Sequence, residues 1–252
     1  MAASEQYLNT VLEILCHIDL AEISRAAQII ASALESGGII HTFGTGHSSL
    51  LAQEVFYRAG GLVAVNPVLD SRLGFEHGAV ESTEFERQLA AADELEVAAG
   101  FRRGDAGIVI SNSGRNALPV ELVLRMKAAE MTVIALTSVE QSKAASSRHP
   151  SGKRLFEVAD FTLDNHCPPG DAAISVPGLE HPLGPVSTVA GATILHCVLL
   201  DAAEKLAQKG NPPATFVSAN LGERSAEELR RLMAPFQDRI RYYRSAGQKR
   251  NE

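Results

Sequence analysis

The chain contains no tryptophan, and Phe, Trp and Tyr together make up 5% of its 252 residues. A carbohydrate site built from stacked rings is therefore not expected. Positive charge is also short: 23 Lys and Arg stand against 30 Asp and Glu, a formal net charge of −7. Nucleic-acid binders normally present a basic surface, so no nucleic-acid partner is expected. Apolar runs such as Ile108–Ile110 and Thr132–Leu136 are brief. A membrane span needs about 20 such residues, so no membrane partner is expected. The opening MAASEQYLNT has no basic segment followed by an apolar one. No secretory leader is visible, and a cytoplasmic protein is expected. Cys16, Cys167 and Cys197 are scattered without C-x-x-C spacing and read as plain thiols. His41, His47, His77, His166 and His181 show no H-x-x-x-H or H-E-x-x-H arrangement, so no metal is expected.

What is present suffices for a core, since 45% of the residues are hydrophobic. Residues 1–36 carry two apolar stripes at helical spacing. Tyr7, Leu8, Val11, Leu12 and Leu15 form the first, and Ile23, Ala26, Ala27 and Ile30 the second. Gly37 and Gly38 stop the second helix. The pair predicts a helical hairpin packing on the main domain.

Over residues 37–210, short apolar runs alternate with helical stretches. Gly38–Phe43, Leu62–Val68, Ala106–Ser111, Met131–Thr137 and Asp160–Leu163 predict strands. Leu50–Arg58, Phe85–Ala99, Leu118–Glu130 and Ser187–Gln208 predict helices, and Asn165–Pro185 an extended loop. This alternation predicts an α/β fold, a parallel sheet covered on both faces. Residues 211–252 predict an arm: a strand-like centre in Pro213–Gly222, a helix over Ser225–Tyr243 and a frayed end from Ser245. Arg239, Arg241 and Arg244 read as a solvated face of that last helix.

Two strand-to-helix loops carry the chemistry. The first is Gly44-Thr45-Gly46-His47-Ser48-Ser49; the second is Ser111-Asn112-Ser113-Gly114-Arg115-Asn116. Glycine lets the backbone turn sharply and approach a ligand closely. Free amides and the helix dipole at such a terminus favour an anion. Either loop alone could be a tight turn with serine caps. Both together open at one edge of a parallel sheet, where ligands bind. A nucleotide is disfavoured, because the first loop lacks the Lys-Ser/Thr of a P-loop and the third glycine of a dinucleotide fingerprint.

The strand–GTGHS–helix unit and AGIVISNSGRNALPVELVLRMKAAEMTVIALTS, with its S-x-S-G-x-N core, resemble the sugar isomerase (SIS) domain. The resemblance runs from about Ile14 to Gln208 and lies nearest the phosphosugar-binding branch. That branch is related to phosphoheptose isomerase and N-acetylmuramic acid 6-phosphate etherase. It implies a three-layer fold with a five-stranded parallel sheet flanked by helices. It also implies homodimers or homotetramers with sites near subunit interfaces. The expected partner is a small-molecule sugar phosphate, held by Ser48, Ser49, Ser111, Ser113 and Asn116, with Gly44, Thr45, Gly46, His47, Asn112 and Gly114 completing the loops. No organic cofactor is implied.

Aldose–ketose isomerisation moves a proton between adjacent carbons and needs a general base and acid. Glu54 lies about one and a half turns beyond Ser48 on the helix leaving the first loop. In phosphoheptose isomerase the matching Glu falls one turn further on, at Arg58 here. His196, in Ile194-Leu195-His196-Cys197-Val198, resembles the isomerase's I-H-I-L context. The run Ala79–Glu84 resembles the etherase's V-E-G-A-E segment, which implies an acidic contribution from Glu81 or Glu84; Glu81 and, nearby, His77 are the candidates. Glu180, Ser187 and Thr188 resemble the etherase's Glu followed by G-S-T; Ser187 also suits a plain helix cap. An isomerase is the first expectation. A lyase, etherase or deaminase acting on an amino- or acyl-sugar phosphate, or a non-catalytic phosphosugar sensor, is the alternative.

Overall fold

A computed structural model describes residues 1–218 and 225–244; the end expected to fray from Ser245, and part of the Pro213–Gly222 segment, lie outside the described residues. The chain begins with α1 (Ala3–Cys16) and α2 (Leu20–Glu35), then β1 (Ile40–Gly44), α3 (His47–Glu54) and β2 (Val65–Pro67). Next come α4 (Ala79–Phe85), α5 (Ala91–Ala99), β3 (Ala106–Ile110), α6 (Ala117–Ala128) and β4 (Thr132–Thr137). Short helices α7 (Val139–Lys143) and α8 (Leu155–Val158) precede β5 (Phe161–Asp164), β6 (Ala172–Ile174) and β7 (Leu183–Pro185). Long α9 (Ser187–Gln208) and α10 (Ser225–Met233) follow, with short 3-10 turns at Ser71–Leu73, Ala234–Phe236 and Arg241–Tyr243.

The main sheet has five strands in the order β2-β1-β3-β4-β5, every pair parallel. Residues Ile40–Gly44 and Ala106–Ile110 are buried throughout; Ala106–Ile110 is accordingly free of polar side chains, whereas Ile40–Gly44 buries the polar His41 and Thr42 with partners of their own. Two cores sandwich the sheet. Side chains of α2, α3 and α9 cover one face, with Ile23, Ile30, Leu51, Ile194 and Leu195 in contact with strand residues. Side chains of α5, α6 and α8 cover the other, around Phe43, Leu95, Leu122, Met126 and Leu155. The chain turns to one side after β1 and to the other after β3. The crevice outside their carboxyl ends is therefore a topological switch point. Helix α2 packs along α9, while α1 lies on α9 and β6. No helix among the described residues is long and apolar enough to cross a membrane.

Four local readings differ from the sequence pattern. Phe85–Ala99 is not one helix: α4 ends at Phe85 and α5 begins at Ala91. At the break, the Glu86 carbonyl accepts from Leu118 N (3.1 Å). Asn165–Pro185 contains the antiparallel β6–β7 pair rather than only an extended loop.

Ser187 does not cap α9. Asp171, at φ +67°, takes that part from across the hairpin. Its Oδ1 accepts from Val186 N (3.0 Å) and Ser187 N (2.7 Å), and its Oδ2 from Ser187 Oγ (2.6 Å). Asp171→Ala is expected to cost about 1–2 kcal/mol, read from the urea midpoint, with Asp171→Asn losing less.

Helix α10 stops at Met233 and only three-residue 3-10 turns follow, at Ala234–Phe236 and Arg241–Tyr243, so the three arginines share no continuous helical face. Arg241 Nη2 donates to Leu69 O (2.6 Å) and Arg244 Nε to Gln237 O (2.9 Å). Arg239 Nη2 reaches both oxygens of buried Asp105, at 2.8 and 2.6 Å.

Candidate functional site

Both loops stand at the crevice. In the first, Gly44 packs so tightly that a Cβ there would lie 2.3 Å from Ser48 O, and Gly46 takes φ +52°. Ser49 Oγ turns back to Gly46 O (2.6 Å), whereas the Ser48 hydroxyl has no hydrogen-bond partner among the described residues. In the second loop, Gly114 sits at φ +59° against the side chains of Thr137 and Ser142. Buried Ser111 Oγ accepts from Gly114 N (3.2 Å). Half-buried Ser113 has no side-chain partner among the described residues.

A shallow pocket joins the two loops to the start of α9. His47, Ser48 and Leu51 line it from α3, Asn112 from the second loop, and Ser187 and Thr188 from α9. Asn112 is held at both ends: its Nδ2 donates to Gln141 Oε1 (2.8 Å) and its Oδ1 accepts from Asn165 Nδ2 (2.8 Å). Asn165, itself a lining residue, is thereby fixed as well. The pocket presents the N-terminal turns of two helices, whose dipoles favour an anion; the Val186 and Ser187 amides are already taken by Asp171, while the Ser48 and Thr188 hydroxyls have no partner among the described residues.

On the other side of the crevice Thr45 Oγ1 donates to Glu86 Oε2 (2.5 Å) and Asn116 Nδ2 to Glu86 Oε1 (2.6 Å). Arg148 Nη1 donates to Asn116 Oδ1 (2.6 Å). Burial raises the Glu86 carboxyl above the usual carboxylate range, and the Thr45 hydrogen bond, Arg87 and Arg148 offset only part of that.

Where α3 meets α9, His196 Nε2 lies 3.3 Å from Glu54 Oε1, beside a second pocket lined by Val55, Leu62, Leu199 and Thr215. Glu54 also pairs with Arg58, and both the Glu54 and His196 side chains are 39% exposed. Burial, followed by the positive charge of Arg58, lowers the His196 pKa below the usual 6.5. The ring is therefore neutral at pH 7. With Nε2–H directed at Glu54, Nδ1 keeps its lone pair.

The SIS domain family model matches residues 6–138, from α1 through β4 and across both loops. The chain belongs to the SIS domain family. A UPF0309 protein of Geobacillus kaustophilus is 40% identical over 235 residues, 93% of this chain and 93% of its own length. One of Halalkalibacterium halodurans is 40% identical over 93% of this chain and 94% of its own length. Among solved structures, NanR of Vibrio vulnificus, complexed with ManNAc-6P, superimposes with a TM-score of 0.52 at 13% identity. The match covers 93% of this chain and 68% of NanR. That likeness concerns the fold.

Within this SIS domain the expected residues fall into three groups. His47, Ser48, Asn112, Ser187 and Thr188 line the pocket, Thr45 and Asn116 meet Glu86, and the remaining loop residues shape the two turns. Glu54 and His196, 142 residues apart in sequence, meet each other. Glu81, His77 and Glu180 join neither group. Glu81 is exposed on α4, His77 Nε2 lies 3.0 Å from Ser71 Oγ, and Glu180 is exposed beside His181 in the β6–β7 turn. Glu86, the next acid after Glu84, lies just beyond the Ala79–Glu84 segment and is not among the expected residues. Only the fold shows that this acid bridges the two loops. Among the described residues, no group of three or more His, Cys, Asp or Glu is placed to hold a metal ion.

Proposed function

We propose that this protein binds a sugar phosphate in the crevice between its two loops and isomerises it by aldose–ketose proton transfer. Binding is supported by the convergence of Ser48, Asn112 and Thr188 on one pocket from three separate segments of the chain. Free hydroxyls at Ser48, Ser113 and Thr188 supply donors to a phosphate, and the helix termini supply favourable dipoles. The reaction rests on the Glu54–His196 contact. Neutral His196 offers a base, and the Glu54 carboxylate holds the ring's orientation and stabilises the imidazolium once a proton is taken. Glu54 stands six residues beyond Ser48, about 9 Å of helical rise, so an extended sugar could run from the loops towards it.

We further infer a homodimer or homotetramer. Leu50 on α3, Val189 and Leu200 on α9, and Leu8 and Leu12 on α1 are exposed. Light scattering on the purified protein tests the assembly.

The decisive experiment incubates the protein with hexose, heptose and N-acetylhexosamine phosphates in deuterated water and follows exchange and products by NMR. Deuterium entering beside the carbonyl is the expected result. Elimination of lactate from a muramyl substrate would replace isomerisation with ether cleavage. Thermal stabilisation without turnover would leave a binding protein only. Ser48→Ala and Ser113→Ala are expected to abolish ligand-induced stabilisation, while His196→Ala keeps it. If neither serine change weakens binding, the two-loop site is wrong.

A further inference from the structure

We propose that the Glu86 carboxylate is a resident anion of the crevice, on the side opposite the Ser48–Asn112–Thr188 pocket, and that the phosphate of a sugar phosphate displaces it by seating between the loops and taking over its Thr45 and Asn116 contacts. This rests on the sugar-phosphate reading above. Both Glu86 oxygens are engaged, one by each loop: Oε2 by Thr45 Oγ1 (2.5 Å) and Oε1 by Asn116 Nδ2 (2.6 Å). The amide of Asn116 has a fixed sense, because its Oδ1 faces the Arg148 guanidinium, so Nδ2 must face the carboxylate. Glu86 O accepts from Leu118 N in the first turn of α6. One residue thus meets both a cradle of donors and a helix start, the surroundings that suit a bound anion.

A purely structural strut would be expected to carry a direct ion pair. Glu86 has none. Arg148 spends its hydrogen bond on Asn116, and Arg87 contributes only through its charge. Burial therefore opposes ionisation of Glu86, and moving the carboxylate into water relieves that opposition. A dianion entering the same cradle brings twice the charge to Thr45, Asn116, Arg87 and Arg148. A monoanionic carboxylate brings no more than Glu86 already supplies. Glu86 would therefore bias the site towards dianionic phosphate esters over carboxylates.

Sulfate is the probe, since it remains a dianion across the working pH range. Calorimetric titration at pH 7.5 is expected to show Glu86→Gln and Glu86→Ala binding sulfate at least tenfold more tightly than the unaltered protein. In the unaltered protein, carbon NMR of the Glu86 carboxyl is expected to titrate lower at saturating sulfate, back towards the ordinary carboxylate range. Equal or weaker sulfate binding by the folded variants overturns the displacement model and leaves the two-loop site standing. No sulfate binding by any of the three proteins overturns that site, and this inference with it. Should both variants fail to fold, the carboxyl titration decides: an unchanged Glu86 at saturating sulfate sinks the proposal.

Discussion

Asp105→Ala is expected to destabilise the protein by about 3–5 kcal/mol, because it strips a buried charge cluster of its only carboxylate. Asp105 is 2% exposed and accepts from four donor groups. Ile39 N (3.0 Å) and Arg102 N (3.2 Å) are backbone donors, His41 Nε2 lies at 3.2 Å, and Arg239 Nη2 reaches both oxygens. Asn66 Nδ2 donates to His41 Nδ1 (3.1 Å), so the ring proton sits on Nε2 and points at Asp105. Truncation would leave a wholly buried imidazole, two amides and a guanidinium without their acceptor. Urea unfolding followed by circular dichroism measures the loss. A change below about 1 kcal/mol would mean that the cluster is relaxed by water or by local rearrangement.

The same cluster sets a pH dependence. Burial lowers the His41 pKa below 6.5, although Asp105 pulls the other way. Burial would raise Asp105, but hydrogen bonds from His41, Ile39 and Arg239 outweigh it and bring its pKa below 3.8. Both groups bind protons less readily folded than unfolded, so both favour folding at high pH. Stability is expected to be intact above pH 6.5, to fall below it as unfolded His41 takes up its proton, and to fall again below pH 3.8. Thermal melts from pH 8 to pH 4 test the first decline, which His41→Gln should remove.

Legibility in the sequence followed the range of the interaction. Ser187–Gln208 was readable as α9 because a long run of small and apolar residues fills a groove over α2 and the sheet. The central strands were readable because burial on both faces favours short runs rich in Ile and Val, such as Ala106–Ile110 and Thr132–Thr137. The two loops announced themselves through glycines that the geometry requires, at Gly44, Gly46 and Gly114. Polar contacts between distant segments left no such trace. Asp171 caps a helix that begins 16 residues later, Glu86 meets partners 41 and 30 residues away, and Arg239 finds Asp105 across 134 residues. None of these imposes a period or a local composition. Glu54 and His196 were nominated separately by resemblance, and only the fold shows that they touch.

Their contact leads to the largest effect on activity. If His196 is the base, His196→Ala is expected to lower kcat by about 10²–10⁴-fold while leaving sugar-phosphate affinity within a few-fold. Glu54→Gln should lower kcat less, because a neutral amide can still orient the ring but cannot stabilise the imidazolium. Arg58 supplies a test that a structural role would not pass. The base must be neutral to act, so activity falls as pH drops through the His196 pKa. Arg58 helps to hold that pKa down, second to burial. Arg58→Gln removes the positive neighbour and frees the Glu54 carboxylate to favour the imidazolium. The acidic limb of the kcat profile should therefore move to higher pH in Arg58→Gln, while the plateau at alkaline pH changes little. A limb that stays in place, or a His196→Ala enzyme of undiminished kcat, would take the proton transfer away from this pair.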